Sequence, residues 1–210
     1  MSAEQTVFVV DDDAALRDSL RWLIESVGHT VRTFPSARAF LAEYRPDSGG
    51  CLVLDVRMPG GSGVELQEQL RRMGAAIPVI FLTGHADVAT AVRAMKGGAV
   101  DFIEKPFNDQ VLLDHIQASL EKDRAHRVAV AFDQEILARY DQLTTQQRRV
   151  LHLVAAGRSN RAIGETLGVG IKTVEAHRAR VMSRMQAQNF AELLRMAAVC
   201  SNAQPIPATD

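Results

Sequence analysis

Cysteine is scarce in this chain of 210 residues: Cys51 and Cys200 are the only two, and they form no CxxC pair. That spacing argues against a zinc site and against a disulfide framework. Long apolar runs are missing too. The longest charge-free stretch with an apolar centre, residues 73–86, has 14 residues and holds a proline. A spanning helix needs roughly 20 apolar residues, so no membrane partner is expected. The first residues, MSAEQT, have neither a basic region nor an apolar core, so no secretory leader is expected and a cytoplasmic location is the default. There is no internal repeat and no low-complexity segment. His29, His85, His115, His126 and His152 show no ligand spacing. Residues 121–141 contain neither glycine nor proline, a composition that suits a helical or partly helical connector.

What is present is ordinary in bulk and uneven in distribution. Apolar residues make up 47% and charged residues 23%, which rules out a wholly disordered chain, and the length allows one or two domains. Residues 1–122 hold 12 Lys/Arg against 17 Asp/Glu, a net of −5, whereas residues 123–210 hold 12 against 8, a net of +4. Between Thr144 and Cys200 the count is 9 against 3, a net of +6. An acidic half joined to a basic half suggests two jobs, the basic one being nucleic-acid binding; a chance fluctuation of surface charge explains the numbers equally well on its own.

The first 105 residues alternate short apolar runs with helical periodicity. Thr6–Val10, Thr30–Thr33, Cys51–Leu54, Ile77–Leu82 and Val100–Ile103 read as strands. Between them, Leu16, Leu20, Leu23, Ile24 and Val27 share one helical face. Ala37, Phe40, Leu41 and Tyr44 read as a short helix, Val64, Leu66 and Leu70 follow at helical spacing, and Val88, Ala91, Val92 and Met95 mark another helix. Val111, Leu112, Ile116 and Leu120 mark a further helix. The pattern implies βαβ units: an α/β fold with a doubly wound five-stranded parallel sheet. After residue 141 strand signals vanish. Thr144-x-x-Gln147 fits a capping box with a Gly157 stop, Ser159 caps a short helix stopped by Gly168, a third helix starts near Ile171, and Asn189-x-x-Glu192 opens a fourth. The boundaries expected are 1–121 for the α/β domain, 122–141 for a helical linker, 142–200 for an all-α four-helix domain, and 201–210 for a flexible tail.

Four polar positions stand at the carboxyl ends of different strand candidates: Asp11 to Asp13, Asp55, Thr83 and Lys105. Singly each has a plain structural explanation: a helix N-cap for the acidic triplet, a turn for Thr83-Gly84, a strand end for Lys105-Pro106. In an open sheet of order 2-1-3-4-5, however, strands 1, 3, 4 and 5 are neighbours, and Asp11, Asp12, Asp55, Thr83 and Lys105 converge in one crevice. Crowded carboxylates repel, and a hard divalent cation such as Mg2+ relieves them through oxygen ligands. A carboxylate is also a nucleophile toward phosphorus, and Lys105 and Thr83 suit the phosphoryl oxygens of the product.

With VVDDD, LDVRMPGGSG, LTGHAD and FIEKPF in these places, residues 6–120 resemble a response-regulator receiver domain, the CheY-like fold. The resemblance implies Asp55 as phosphoacceptor. It implies Mg2+ held by Asp11, Asp12, Asp55 and the backbone carbonyl of Arg57, with Asp13 outside the ligand set. It also implies Thr83 and Phe102 as a switch pair, Lys105 as the phosphate-binding lysine, and a cis Lys105-Pro106 peptide. Residues 140–200 resemble a LuxR/NarL-type helix-turn-helix output domain through LTTQQRRVLHLVAAGRSNRAIGETLGVGIKTVEAHRARVMSRM, and the two halves together are nearest to the FixJ-like subgroup. Gly170 departs from that family, which usually has a serine capping the recognition helix.

The residues support the second resemblance. With Val174, Val181 and Met185 inward, the opposite face of the third helix shows Lys172, Glu175, Ala176, Ala179 and Arg180, with His177 and Arg178 on the flanks. Small side chains can approach base edges while Lys and Arg reach phosphates. Asn160 and Arg161, at a helix N-terminus, can hold a phosphate. Together with Thr173 these are the expected DNA contacts, although His177 suits a packing role equally well.

The implied function is a phosphorylation-dependent transcription regulator rather than a turnover enzyme. The implied partners are a sensor histidine kinase, double-stranded promoter DNA, a second copy of the chain on phosphorylation and, further on, RNA polymerase. In the expected switch, Thr83 moves to meet the phosphoryl group and Phe102 turns into the vacated space. The helix 88–95 and strand 100–103 face then changes, with Val92 and Lys96 at a dimer interface. Unmasking of the DNA-binding domain by the receiver is the alternative. A metal-dependent phosphatase is disfavoured because the general acid two residues after Asp55 is replaced by Arg57. A ligand-sensing LuxR-type regulator has no use for the acidic crevice.

Overall fold

The computed structural model describes residues 5–84 and 88–203. His85, Ala86 and Asp87, including the second half of the LTGHAD motif, lie outside the described residues. Contacts divide the chain into two units, one reaching to Arg127 and the other starting at Val128.

In the first unit the elements run β1 (Thr6–Val10), α1 (Ala14–Ser26), β2 (Thr30–Phe34), α2 (Ala37–Glu43), β3 (Gly50–Asp55), β4 (Arg57–Met58), β5 (Gly61–Ser62), α3 (Gly63–Arg72), β6 (Val79–Thr83), α4 (Val88–Lys96) and β7 (Asp101–Glu104), followed by α5 (Asp109–Asp141). Five strands form a parallel sheet in the order β2-β1-β3-β6-β7, the doubly wound order expected for the five apolar runs. The apolar pattern missed one feature. Arg57 and Met58 pair antiparallel with Ser62 and Gly61 in a two-residue hairpin directly after Asp55.

The sheet is covered on both faces because side chains alternate along each strand. Val7 and Val9 of β1 join Leu20, Ile24, Leu112, Ile116 and Leu120 of α1 and α5 in one core. Phe8 and Val10 join Phe40, Tyr44, Leu66, Leu70 and Ala94 of α2, α3 and α4 in another. β3 lies in the middle and is buried along its whole length. On α4, Ala94 is buried, whereas Val88, Val92 and Met95 are exposed, Val92 on the exposed stripe expected for it.

The second unit contains α6 (Thr145–Ala155), α7 (Asn160–Leu167), α8 (Ile171–Met185) and α9 (Phe190–Ala203). The capping box at Thr144 and Gln147 is formed, Ser159 caps α7, and Gly168 ends α7 in the left-handed conformation at φ 66°. Gly170 begins α8 with no side-chain cap. Val150, Leu151, Val154, Ile163, Val174, Val181, Met185, Leu193, Met196 and Cys200 form the core.

Residues 122–141, expected as a linker in their own right, are continuous with the preceding helix. α5 runs unbroken from Asp109 to Asp141, and no Gly or Pro interrupts it. Its two ends are built into different units. Asp123 is buried in the first, where its Oδ2 accepts from Gln5 Nε2 at 3.0 Å and from the Gly50 amide at 2.9 Å. Ile136 and Tyr140 are buried in the core of the second. Of the tail expected from residue 201, Ser201, Asn202 and Ala203 complete α9, with Ser201 Oγ donating to the Ala197 carbonyl at 2.9 Å. The rest of that tail lies outside the described residues.

Candidate functional site

Asp11 follows β1, Asp55 ends β3, Thr83 ends β6 and Lys105 follows β7, so the parallel sheet delivers all four to one edge. Three of them are tied together. Lys105 Nζ donates to Asp55 Oδ1 at 2.6 Å and to Asp11 Oδ2 at 2.8 Å. The Lys105 amide donates to the Thr83 carbonyl at 2.7 Å, which fixes where the lysine leaves the sheet. The Lys105-Pro106 peptide is cis, as the family resemblance implied. The Arg57 amide donates to Asp55 Oδ2 at 2.7 Å, so the hairpin after β3 holds the second carboxylate oxygen. Gly63 lets this loop close over the strand, since a Cβ there would lie 2.2 Å from the Asp55 carbonyl oxygen.

The acidic triplet divides its labour. Asp11 is buried and faces Lys105. Asp12 is exposed. Asp13 is the N-cap of α1, its Oδ1 accepting from the amides of Ala15 at 2.9 Å and Leu16 at 3.3 Å. The capping role offered for the whole cluster thus falls to the one member excluded from the ligand set. Thr83 is buried, and Phe102, half-buried on β7, lies with its ring centroid 6.0 Å from that of Phe81. Asp11, Asp12, Asp55, Arg57, Thr83 and Lys105 line an open cleft of about 310 Å³.

Burial raises the Asp55 carboxyl above the ordinary carboxylate range and outweighs the opposing pull of Lys105. Burial acts to lower the Lys105 ammonium, but its hydrogen bonds to Asp11 and Asp55 win and leave it above the usual lysine value. Lys105 therefore stays charged between the two carboxylates.

The donors suit a hard divalent cation in kind, being carboxylate and carbonyl oxygens only. Among the described residues no group of three or more His, Cys, Asp or Glu side chains is drawn close enough to hold a metal. The reason is local. Lys105 bridges Asp11 and Asp55, and Asp12 is exposed.

In the helical unit, Lys172, Thr173, Glu175, Ala176, Ala179 and Arg180 share the exposed side of α8, while His177 and Arg178 are half-buried. The buried side is Val174, Val181 and Met185, the residues expected inward. His177 Nδ1 is buried without a hydrogen-bond partner among the described residues. Three of the expected phosphate contacts, Arg178, Asn160 and Arg161, are engaged within the protein. Arg178 Nη1 donates to Asn160 Oδ1 at 2.6 Å, and its guanidinium lies 5.7 Å from the centre of the Phe190 ring. Arg161 pairs with Glu165 one turn along α7 at 3.0 Å, an exposed contact that is weak in water. The arginine–aromatic contact had no signal in the sequence, because Phe190 lies one helix further on.

Residues 7–117 match the response regulator receiver domain, and residues 141–197 match the luxR family of bacterial regulatory proteins. The chain belongs to the response regulators, with a receiver followed by a luxR-type DNA-binding domain. Over 195 residues it is 46% identical to nodulation protein W of Bradyrhizobium diazoefficiens, covering 93% of this chain and 86% of that protein. Over 197 residues it is 42% identical to the transcriptional regulatory protein FixJ of the same organism, covering 94% and 96% of the two chains. Among solved structures, the response regulator StyR matches with a TM-score of 0.83 at 42% identity, covering 93% of this chain and 99% of that one. Full-length FixJ from B. japonicum matches with a TM-score of 0.57 at 40% identity, covering 95% and 98%. Within the family the chain is thus homologous to the FixJ-type two-component transcriptional regulators, for which the family implies activation by phosphorylation and a histidine kinase and DNA as partners. Receivers of this family use Mg2+ at the phosphorylation site. Among the described residues no helix is long and apolar enough to cross a membrane.

Proposed function

We propose that Asp55 accepts a phosphoryl group from a sensor histidine kinase, and that this modification drives dimerisation and promoter binding in the cytoplasm. One observation carries the reading: Lys105 Nζ lies 2.6 Å from Asp55 and 2.8 Å from Asp11, in a cleft open to solvent. In the transfer, an Asp55 carboxylate oxygen forms a bond to phosphorus as the phosphorus–nitrogen bond of the donor phosphohistidine breaks, and the freed imidazole takes a proton from solvent. Lys105 turns from the carboxylates to the phosphoryl oxygens, and the Thr83 hydroxyl donates to one of them. Asp11, Asp12, Asp55 and the carbonyl of Arg57 are the residues that would hold Mg2+, which when bound neutralises charge on the transferring group.

Motion of Thr83 frees space toward which the Phe102 ring turns, and the face formed by α4 and β7 changes with it. Val92 and Lys96 are exposed on α4, an apolar centre beside a charge, as a conditional dimer interface requires. Two helix-turn-helix units one DNA turn apart match a palindromic site, and RNA polymerase is the partner downstream. Asn160, Arg161, Lys172, Thr173, Glu175, Ala176, His177, Arg178, Ala179 and Arg180 form the DNA-facing set, with Arg178 and Asn160 acting as a joined pair. The chain performs only its own phosphoryl transfer and a slow loss of the group. Arg57 stands where a phosphatase of this chemistry keeps its general acid.

Labelling by acetyl phosphate with Mg2+ tests the site. The native chain forms one slowly hydrolysed adduct per molecule, and Asp55→Asn forms none. Full labelling of that variant removes Asp55 from the role.

A further inference from the structure

In the helical unit the carboxyl ends of α5 and α8 meet, and arginines hold them together. The last carbonyls of a helix lack partners within it and carry its negative pole, so two such ends repel unless cations intervene. Arg139, in the last turn of α5, donates through Nη1 to the carbonyl of Met185, the last residue of α8, at 3.3 Å. Arg184, in the last turn of α8, donates through Nη1 to the carbonyl of Gln142, just past the end of α5, at 2.6 Å. Each arginine therefore caps the other helix. Arg148 of α6 adds bonds to the carbonyls of Asp141 at 2.9 Å and Leu143 at 3.2 Å. Beneath these contacts Ile136 and Tyr140 of α5 are buried in the same core as Val181 and Met185 of α8. The end of α5 is thus seated by apolar burial and locked by reciprocal hydrogen bonds.

We propose that Arg139 and Arg184 are positioning residues for sequence-specific DNA binding: through them the last turn of α5 sets the pose of α8. Base edges are read only when the helix enters the groove at the right angle, whereas phosphate contacts tolerate small rotations. A shift at the end of α5 therefore changes which sequences bind more than how strongly any duplex binds. The proposal rests on the reading of α8 as the base-reading helix.

The test uses the full chain saturated with beryllofluoride. Its probes are a duplex selected by the native protein from a random pool and a duplex of scrambled sequence. Arg139→Met and Arg184→Met are expected to lose about tenfold on the selected duplex, the scale of a modest coupling between sites. On the scrambled duplex they lose little and keep the native salt slope. Arg139→Lys, which retains a donor for the Met185 carbonyl, regains most of the loss. An equal loss on both duplexes, with a salt slope shallower by about 0.9, makes Arg184 a phosphate contact and overturns the proposal. Unchanged preference in folded variants, as judged by circular dichroism, overturns it as well. Should Arg139→Met fail to fold, the exposed Arg184→Met makes the same comparison. Ala176→Ser tests the underlying reading separately: if it leaves the preferred sequence unaltered, α8 is not the base reader, and the proposal falls with that reading.

Discussion

The two units spend their charge in opposite ways. The α/β unit is acidic, and its decisive charges are hidden: Asp11 and Asp55 are buried around Lys105 at one edge of the sheet. The helical unit is basic, and its charges divide between display and construction. Lys172 and Arg180 are exposed on α8, while Arg148 and Arg184 are taken up by helix-end carbonyls and Arg178 by Asn160. A net of +6 between Thr144 and Cys200 therefore overstates the cations free to meet phosphate. Net charge points to the kind of partner. Which charges reach it is decided by helix ends and caps.

The largest expected effect breaks the buried cluster. Lys105→Ala removes the cation that faces the developing charge at Asp55. The rate of labelling by acetyl phosphate should fall by about a hundredfold or more, with DNA binding by the helical unit unchanged in the absence of phosphodonor. A variant labelled at the native rate would take Lys105 out of the transfer.

A middling effect separates the units by stability. Asp123→Ala leaves the buried Gly50 amide and the Gln5 side chain without their shared acceptor. Loss of such an acceptor costs about 1–3 kcal/mol, so the urea midpoint of the α/β unit should drop while that of the helical unit holds. If both midpoints move together, the division of α5 between two cores is wrong.

The smallest effect is a pH dependence confined to the helical unit. Burial, and then Arg148, hold His152 below its ordinary value of 6.5, and its Nε2 lies 2.6 Å from Tyr140 Oη. A histidine kept neutral in the folded state contributes stability that is fully present above the unfolded value and is lost as pH falls below it. The urea midpoint of this unit should therefore be lower at about pH 5.5 than at about pH 7.5, and His152→Gln should flatten that difference. An unchanged slope in the variant assigns the dependence to other groups.

The cleft at the sheet edge was legible in the sequence because each of its residues abuts the end of an apolar run, and parallel strands bring such ends together without long-range information. Asp11, Asp55, Thr83 and Lys105 needed only the strand order to converge. The hairpin at Arg57–Met58 and Gly61–Ser62 was not legible, since two-residue strands have no period. Nor was the role of Asp123, whose partners Gly50 and Gln5 lie 73 and 118 residues away. α4 illustrates a different limit. Val88, Val92 and Met95 have helical spacing, yet the sheet accepts only the small Ala94, and the larger side chains face outward. In the helical unit the caps at Thr144, Ser159 and Gly168 could be read locally. The arginines that hold helix ends could not, because a guanidinium bound to a carbonyl and one awaiting a phosphate look alike in sequence.

The central claim joins the two units: a phosphoryl group at Asp55 creates a dimer that binds DNA more tightly. Sedimentation of the full chain with and without beryllofluoride, read alongside DNA affinity in the same buffers, tests it most directly. The account predicts a monomer without the mimic, a dimer with it, and tighter DNA binding only where the dimer forms. A chain that binds the mimic and gains DNA affinity while remaining monomeric would contradict it.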